Sequence, residues 1–196
     1  MFVQVIQGKL KDADLLRRQL DRWRQEIKPG ANGYLGSTSG ATADGTSIAV
    51  IRFESEAAAR ANSERAEQGA WWNETAKAFD GEPTFRETSD TELLFDGGSN
   101  DAGFVQVMQG KAKDPAKFRA WGKEHEGRLK ELRPDLIGGV DAWFPDGSFV
   151  STAYFTSEAE ARKNEAAMGE DPMMAEYGSH MEGEMTFFDL TEPDLD

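Results

Sequence analysis

His125 is the residue whose type and position best suit catalysis. The 196-residue chain contains two histidines and no cysteine, and an imidazole that titrates near neutral pH can act as a base or as a ligand. His125 lies on the apolar stripe of a predicted helix, together with Phe118, Leu129 and Leu132. We therefore take His125 as a candidate catalytic base.

The neighbourhood of His125 is informative because the sequence repeats itself at an offset of 102 residues. At that offset His125 corresponds to Trp23, and Gly122 corresponds to Leu20. Both replacements remove side-chain volume, so they predict room for a ligand beside the imidazole. The alternative is a structural histidine whose neighbour Trp121 refills that room.

Two further pairs of corresponding polar residues could bind a substrate oxygen. Arg52 and Tyr154 occupy one position of the two copies, on predicted strands with apolar neighbours, and either could stabilise an enolate or phenolate. Gln7 and Gln109 could orient a substrate carbonyl. The structural alternatives are an edge or snorkelling position for Arg52 and Tyr154, and satisfaction of backbone groups by the two glutamines.

Aromatic side chains could form the walls of a binding site. Trp72 lies on a predicted helix that has Met174 at the corresponding position of the second copy, and Trp121 and Tyr177 lie on predicted helices of that copy. We include Trp72, Trp121, Gly122 and Tyr177 among the candidate substrate-binding residues. The alternative is that tryptophan and methionine side chains simply fill the core.

Several kinds of partner are disfavoured by motif and charge. The sequence has no H-E-x-x-H spacing for zinc and no glycine-rich nucleotide loop, so we expect no metal site and no cofactor. A net charge of −14 disfavours nucleic acids and anionic lipids, and no apolar run reaches the roughly 20 residues of a membrane span. The expected partner is a small molecule. Because residues 1–5 lack the pattern of a signal peptide, we expect a cytoplasmic protein.

The elements that must position these residues arise from an internal duplication. Phe-Val-Gln-Val at residues 2–5 recurs at 104–107, and Ser-Glu-Ala at 55–57 recurs at 157–159, without any gap. We predict a first repeat over residues 1–94, a flexible linker over 95–103, a second repeat over 104–191 and an acidic tail over 192–196.

Periodicity within each repeat predicts the order strand, helix, strand, strand, helix, strand. Asp12 and Asp114 are predicted to cap the first helices, Ser55 and Ser157 the second helices, and an Asp-Gly pair at 44–45 or 146–147 joins the middle strands. The predicted fold class is α+β, with two ferredoxin-like βαββαβ repeats. Since both helices cover one face of such a sheet, the other face needs a partner.

Specific segments resemble the antibiotic biosynthesis monooxygenase (ABM) domain of the dimeric α/β barrel superfamily. They are Phe-Glu-Ser-Glu-Ala-Ala-Ala-Arg at 53–60, Phe-Thr-Ser-Glu-Ala-Glu-Ala-Arg at 155–162, the Trp71-Trp72 pair and the opening and closing strands. The resemblance implies that the two sheets face each other as an intramolecular dimeric α/β barrel, and that each sheet encloses a cavity with its own helices. It therefore implies a monomer that is a pseudo-dimer.

The resemblance implies a cofactor-independent monooxygenase acting on aromatic or polyketide-like compounds, with His125 as the base. Loose matches to the site residues of that family are Asn62, Trp72, Arg86, Tyr177 and His180. Two alternatives stay open. One is a haem-binding or haem-degrading protein, with the histidines, Tyr177 and methionines as possible iron ligands. The other is a ligand-binding module without catalysis.

Overall fold

The chain folds into two units, each built around one sheet. The computed structural model describes residues 1–190 and 192–196. One unit comprises Met1–Asp90 together with Asp194–Asp196, and the other comprises Thr91–Pro193. Within the described residues, no helix has both the length and the apolar character needed to cross a membrane.

The elements follow the predicted order in both repeats, with an additional short strand after each. The first repeat contributes β1 (Phe2–Lys9), α1 (Ala13–Arg22), β2 (Tyr34–Ala41), β3 (Thr46–Phe53), α2 (Glu56–Ser63), α3 (Ala66–Thr75) and β4 (Thr84–Thr88), and β5 (Thr91–Leu94) follows it. The second contributes β6 (Phe104–Lys111), α4 (Pro115–Leu132), β7 (Leu136–Trp143), β8 (Ser148–Phe155), α5 (Glu158–Met168), α6 (Pro172–His180) and β9 (Thr186–Leu190), and β10 (Asp194–Leu195) follows it. The two repeats thus confirm the predicted α+β class.

Both sheets are antiparallel and have five strands. Their strand orders are β10-β2-β3-β1-β4 and β5-β7-β8-β6-β9. The central pair β1 and β3 aligns Val5 with Val50, and the corresponding pair β6 and β8 aligns Val107 with Thr152. The pairing register is therefore the same in both copies.

The predicted helix caps are confirmed. Asp12, Asp114, Ser55 and Ser157 each accept a hydrogen bond from the backbone N–H three residues further on, at 2.8, 3.1, 3.2 and 3.3 Å respectively. Such bonds satisfy amide groups that the first helical turn leaves without a partner. Local side-chain chemistry thus sets where these four helices begin.

The second helix of each repeat differs from the prediction, because it is two helices rather than one. In the second copy, α5 ends before Asp171, whose Oδ1 accepts from the Met173 N–H at 3.0 Å, and Pro172 opens α6. Proline cannot donate to the preceding turn and clashes with it, so it starts a new helix instead of continuing the old one.

Two short strands belong to the unit that is formed mainly by the other half of the chain. β5 falls within the predicted first repeat but pairs with β7, from Thr91 opposite Ala142 to Leu94 opposite Gly139. β10, in the predicted acidic tail, pairs with β2, where Asp194 lies opposite Ser39. The edge of a sheet has unpaired N–H and C=O groups that any short strand can bind. The local sequence of such a strand therefore does not predict which sheet it joins.

Buried side chains line both faces of each sheet. On the face of the first sheet that points away from the cavity described below, Val3, Val5, Ile48 and Val50 are at most 2% exposed. Val105, Val107 and Val150 in the second sheet are at most 1% exposed. The expectation that the two sheets face each other stays a prediction.

Candidate functional site

A cavity of about 270 Å³ lies in the first unit, between the sheet and its helices. This volume is just below the roughly 300–1,000 Å³ typical of small-molecule sites. Seven of the 21 residues that line it are aromatic, namely Trp23, Tyr34, Phe53, Trp71, Trp72, Phe79 and Phe85. Such a lining suits a flat apolar ligand.

The aromatic wall is held in a defined geometry. The rings of Trp72 and Phe85 meet edge to face with centroids 5.2 Å apart, and Trp71 lies 6.0 Å from Trp72. The Trp71 indole N–H donates to the Gln19 carbonyl at 2.7 Å, which anchors α3 to α1. Since Phe85 is 50% exposed, the Trp72–Phe85 pair forms a rim of the cavity that solvent reaches.

The helix above the cavity changes character at Trp23. α1 continues there as a π-helical stretch, Trp23–Ile27, whereas α4 is α-helical throughout. The Trp23 ring packs edge to face on Tyr34 with centroids 4.8 Å apart, and its N–H donates to Gln68 Oε1 at 3.1 Å. Short π-helical segments are frequent at functional sites, and this one places an indole in the cavity wall.

The polar side chains of the described wall are neutral. They comprise the amides of Gln4, Asn62 and Gln68, the hydroxyls of Ser37, Ser39, Ser47, Ser63 and Thr75, and the phenol of Tyr34. Burial raises the pKa of Tyr34, and the nearby Asp196 carboxylate raises it further. The Tyr34 hydroxyl therefore stays protonated at neutral pH, 2.8 Å from Ser37 Oγ and 3.1 Å from Asp196 Oδ2.

At two positions that line the cavity in the first unit, the second unit has a larger, aromatic side chain. At the offset of 102 residues, Leu16 of the cavity wall is replaced by Phe118 and Thr75 by Tyr177. The Phe118 ring lies 5.3 Å from Tyr177 and 5.8 Å from Phe149. Phe118 and Phe149 belong to a core cluster with Trp143 and Met181, against which Tyr177, Trp121 and Met185 pack.

The imidazole of His125 packs against its own helix in the second unit. Its ring stacks on Trp121 with centroids 4.7 Å apart, and Nδ1 lies 2.9 Å from the Trp121 carbonyl oxygen. Nε2 lies 3.8 Å from a Glu176 carboxylate oxygen. Gly122 is exposed, and a Cβ there would meet nothing within 4 Å. Trp121 thus covers one face of the imidazole, whereas Gly122 faces open space.

The other predicted site residues also lie apart from the first unit's cavity, with one exception. Gln7 on β1 and Arg52 on β3 alternate with residues that line the cavity. Their side chains therefore lie on the face of the sheet opposite to the cavity. Gln109 and Tyr154 occupy the corresponding positions of the second sheet, and Tyr154 is 1% exposed. Tyr177 lies in the second unit, where its hydroxyl donates to Met185 Sδ at 3.3 Å.

Trp72 is the predicted site residue that the cavity contains. Sequence reasoning did not assign Gln4 or Gln68 to the site, and it gave Asn62 only as a loose match. A usable signal was the strand period, because Gln4 alternates with Val3 and Val5 and so lies on the face of Ile6, toward the helices.

A half-buried carboxyl lies in the second unit at Asp141 on β7. Desolvation raises its pKa to about 6, against a hydrogen bond from Ser151. Glu92, opposite it on β5, also raises the pKa, whereas the charge of Arg119 lowers it. Its counterpart in the first unit is Ser39 of the cavity wall.

The described lining does not fit ligation of haem iron. Haem is held by histidine, cysteine, methionine or tyrosine side chains, and of these types the described wall contains only Tyr34. Its hydroxyl is hydrogen-bonded to Ser37 and Asp196. The ligands suggested from the sequence, which are His125, His180, Tyr177 and the methionines of the second repeat, lie in the second unit.

Comparisons with known proteins agree with this architecture. No protein-family model matches the sequence, and a search of curated proteins gives no match. Among solved structures, a candidate monooxygenase of Fusobacterium nucleatum matches 100% of this chain and 93% of its own, with a TM-score of 0.77 and 10% identity.

Two further structures match over nearly the whole chain. A candidate monooxygenase of Lactobacillus acidophilus has a TM-score of 0.71 at 11% identity, covering 100% of this chain and 98% of its own. An anthrone oxidase-like protein has a TM-score of 0.62 at 9% identity, covering 99% and 92%. Identities this low show the fold alone. The chain therefore has the ABM-like fold of these proteins, as a tandem duplication within one polypeptide.

Proposed function

We propose that the first unit binds a flat aromatic carbonyl compound in its cavity and promotes oxygenation of that compound by O₂ without a cofactor. The aromatic wall of the cavity is the observation that carries this proposal. The fold shared with an anthrone oxidase-like protein supplies the type of reaction. No such activity follows from the fold by itself.

The chemistry requires little of the protein. An anthrone loses a ring C–H proton to solvent that reaches the rim of the cavity, and the electron-rich enolate that results reduces O₂. Overall, one anthrone and one O₂ give one anthraquinone and one water. The protein would hold the ring in a water-poor cavity and stabilise the enolate oxygen with neutral N–H donors. The amides of Asn62 and Gln68 are donors of this kind in the wall.

A second candidate function, a ligand-binding module without catalysis, is favoured by one observation. The described wall contains no His, Asp, Glu, Lys or Arg side chain, and Tyr34 is held protonated. Such a wall binds and orients a ligand, but it provides no group that takes up a proton at neutral pH.

Oxygen uptake with anthrone as the probe tests the first function. Ala49 lines the cavity, whereas Ala41 is exposed at the end of β2, so Ala49→Phe and Ala41→Phe add the same ring inside and outside the cavity. We expect the parent chain to exceed the buffer rate and to form one anthraquinone per O₂. We expect Ala49→Phe to lose most of that acceleration and Ala41→Phe to keep it.

Two other results would separate the candidates. If anthrone oxidation in buffer is not accelerated, but calorimetry shows 2-naphthol binding that Ala49→Phe abolishes, the binding module is supported instead. If Ala49→Phe retains the parent's rate, the cavity is not the site of oxygenation.

A further inference from the structure

The Gln4 amide is connected to two charged side chains behind the cavity wall. Gln4 lies on β1 with Glu87 directly opposite on β4, and its Nε2 donates to Glu87 Oε1 at 2.7 Å. Arg60 on α2 donates to the same oxygen at 3.3 Å and to Glu87 Oε2 at 2.5 Å. Two elements that flank the cavity thus meet at one carboxylate.

This arrangement fixes which end of the amide is available. A carboxylate held by a guanidinium can only accept hydrogen bonds, so it requires the NH₂ group of Gln4 and excludes the carbonyl oxygen. The remaining polar atom of Gln4, Oε1, is the one that it can offer to the cavity. Gln4 therefore presents an acceptor there.

The other two amides in the wall are fixed in the opposite sense. Asn62 Oδ1 accepts from Arg65 Nη1 at 2.9 Å, and Gln68 Oε1 accepts from the Trp23 indole at 3.1 Å. Each is left with its NH₂ group to offer. The sheet side of the cavity thus offers an acceptor, whereas α2 and α3 offer donors.

We propose that Glu87 and Arg60 are positioning residues, which hold the Gln4 amide with its oxygen toward the cavity and so select ligands that donate a hydrogen bond at that wall. This proposal rests on the proposed binding function. It narrows the ligand to an aromatic compound with a hydroxyl that meets Gln4 and an acceptor oxygen that meets the helix amides.

The second unit repeats the same three-residue arrangement and provides a control. Gln106 Nε2 donates to Asp189 Oδ1 at 2.9 Å, and Arg162 binds the other oxygen of Asp189. Gln106 is 8% exposed, and its unit carries Phe149 and Tyr177 at the positions of cavity-lining Ser47 and Thr75. A purely structural role would be common to both copies, whereas selection of a ligand belongs to the copy with the cavity.

Glu87→Gln reverses the orientation that the carboxylate imposes. In this variant Arg60 would donate to the oxygen of the new amide, so the NH₂ group of residue 87 would point to Gln4. That NH₂ group would bind the Gln4 oxygen and draw it away from the cavity. Gln4 would offer NH₂ to the cavity, a donor that an ether oxygen accepts as well as a hydroxyl does. Since the Glu87 side chain is 25% exposed and Arg60 is 51% exposed, we expect the variant to fold.

The experiment compares the affinities of 2-naphthol and 2-methoxynaphthalene by calorimetry. In the parent we expect 2-naphthol to bind more tightly, and in Glu87→Gln we expect the affinity ratio to fall about tenfold, which corresponds to one hydrogen bond. Gln4→Leu should lower the ratio similarly, and Glu87→Gln added to Gln4→Leu should have no further effect. Asp189→Asn should leave the ratio unchanged.

The possible failures are distinguishable. An unchanged ratio in Glu87→Gln overturns the positioning role, even if Gln4→Leu lowers it. If the ratio falls further when Glu87→Gln is added to Gln4→Leu, Glu87 does not act through Gln4. If Asp189→Asn lowers the ratio as much as Glu87→Gln does, the effect is common to both copies and is structural. If the parent binds neither naphthalene, the proposed aromatic-binding function itself fails.

Discussion

Phe149 occupies, in the second unit, the position that Ser47 holds in the wall of the first unit's cavity. Both residues lie on the strand that follows the Asp-Gly turn, 102 residues apart. Phe149 is 2% exposed and packs 5.0 Å from the Trp143 ring. A large buried ring thus stands in the second unit where the first unit has a small side chain beside its cavity.

Truncation of this ring should therefore be costly. We expect Phe149→Ala to lower the free energy of unfolding by about 3–5 kcal/mol, because it leaves a void among aromatic side chains. Ser47→Ala removes one hydroxyl beside an existing cavity and should cost less than about 1 kcal/mol. Urea unfolding followed by circular dichroism measures both, and equal costs would contradict the account of a filled second unit.

Trp72 should matter for ligand binding, and its counterpart should not. Trp72→Ala removes a ring that packs on Phe85 at the rim, so we expect 2-naphthol to bind about fivefold more weakly, the equivalent of about 1 kcal/mol of aromatic contact. Met174→Ala alters the corresponding position outside the cavity and is the matched control. Calorimetric titration with 2-naphthol gives the affinity of each variant. If only Met174→Ala loses affinity, the ligand binds in the second unit.

Asp141 should make stability depend on pH. Its pKa of about 6 in the folded protein lies above the value of about 3.9 in an unfolded chain, so the folded state binds the proton more tightly. Its contribution to stability is then complete below about pH 4 and is lost as the pH rises through 6.

Asp141→Asn isolates this contribution, because the amide cannot titrate. We expect the variant to gain stability relative to the parent between pH 4 and pH 7.5, by an amount of order 2 kcal/mol. Urea midpoints at several pH values provide the measurement. A difference that stays constant across this range would show that the carboxyl is not desolvated.

The buried ion pair of Arg133 and Asp135 should be sensitive to loss of one partner. Arg133 is 8% exposed and Asp135 is 3% exposed, with 2.9 Å between Nη2 and Oδ2, and Asn164 Nδ2 donates to Asp135 at 2.8 Å. Asp135→Ala leaves a buried guanidinium without its carboxylate and should cost about 3–5 kcal/mol.

The exposed pair of Arg17 and Asp14 is the control for that prediction. Both side chains are more than 70% exposed, and Asp14→Ala should therefore cost less than about 1 kcal/mol. Thermal unfolding of the two variants gives the comparison. Similar small costs for both would show that water reaches the Arg133 site.

Features that depend on a few neighbouring residues were predictable from the sequence. The duplication gave the same strand order and register in both repeats, and the side chains of Asp12, Asp114, Ser55 and Ser157 marked helix starts that the structure confirms. A cap or a tight turn is formed by residues within three or four positions of one another, so its sequence carries the full instruction.

The site was less predictable, because a cavity is the space left by side chains from many elements. The exchange of Trp23 for His125 and of Leu20 for Gly122 indicated room in the second copy, but Trp121 stacks on His125 and Gly122 faces open space. The donor and acceptor orientation of Gln4 likewise depends on Glu87, 83 residues away.

The sequence by itself thus determined the two repeats, their α+β class and the beginnings of their helices, since these follow from periodicity and local hydrogen bonding. Only the tertiary structure decided which side chains line the cavity of the first unit and which edges receive β5 and β10. Both depend on packing and strand pairing between distant segments, where the total volume and the free hydrogen-bonding groups of several elements act together.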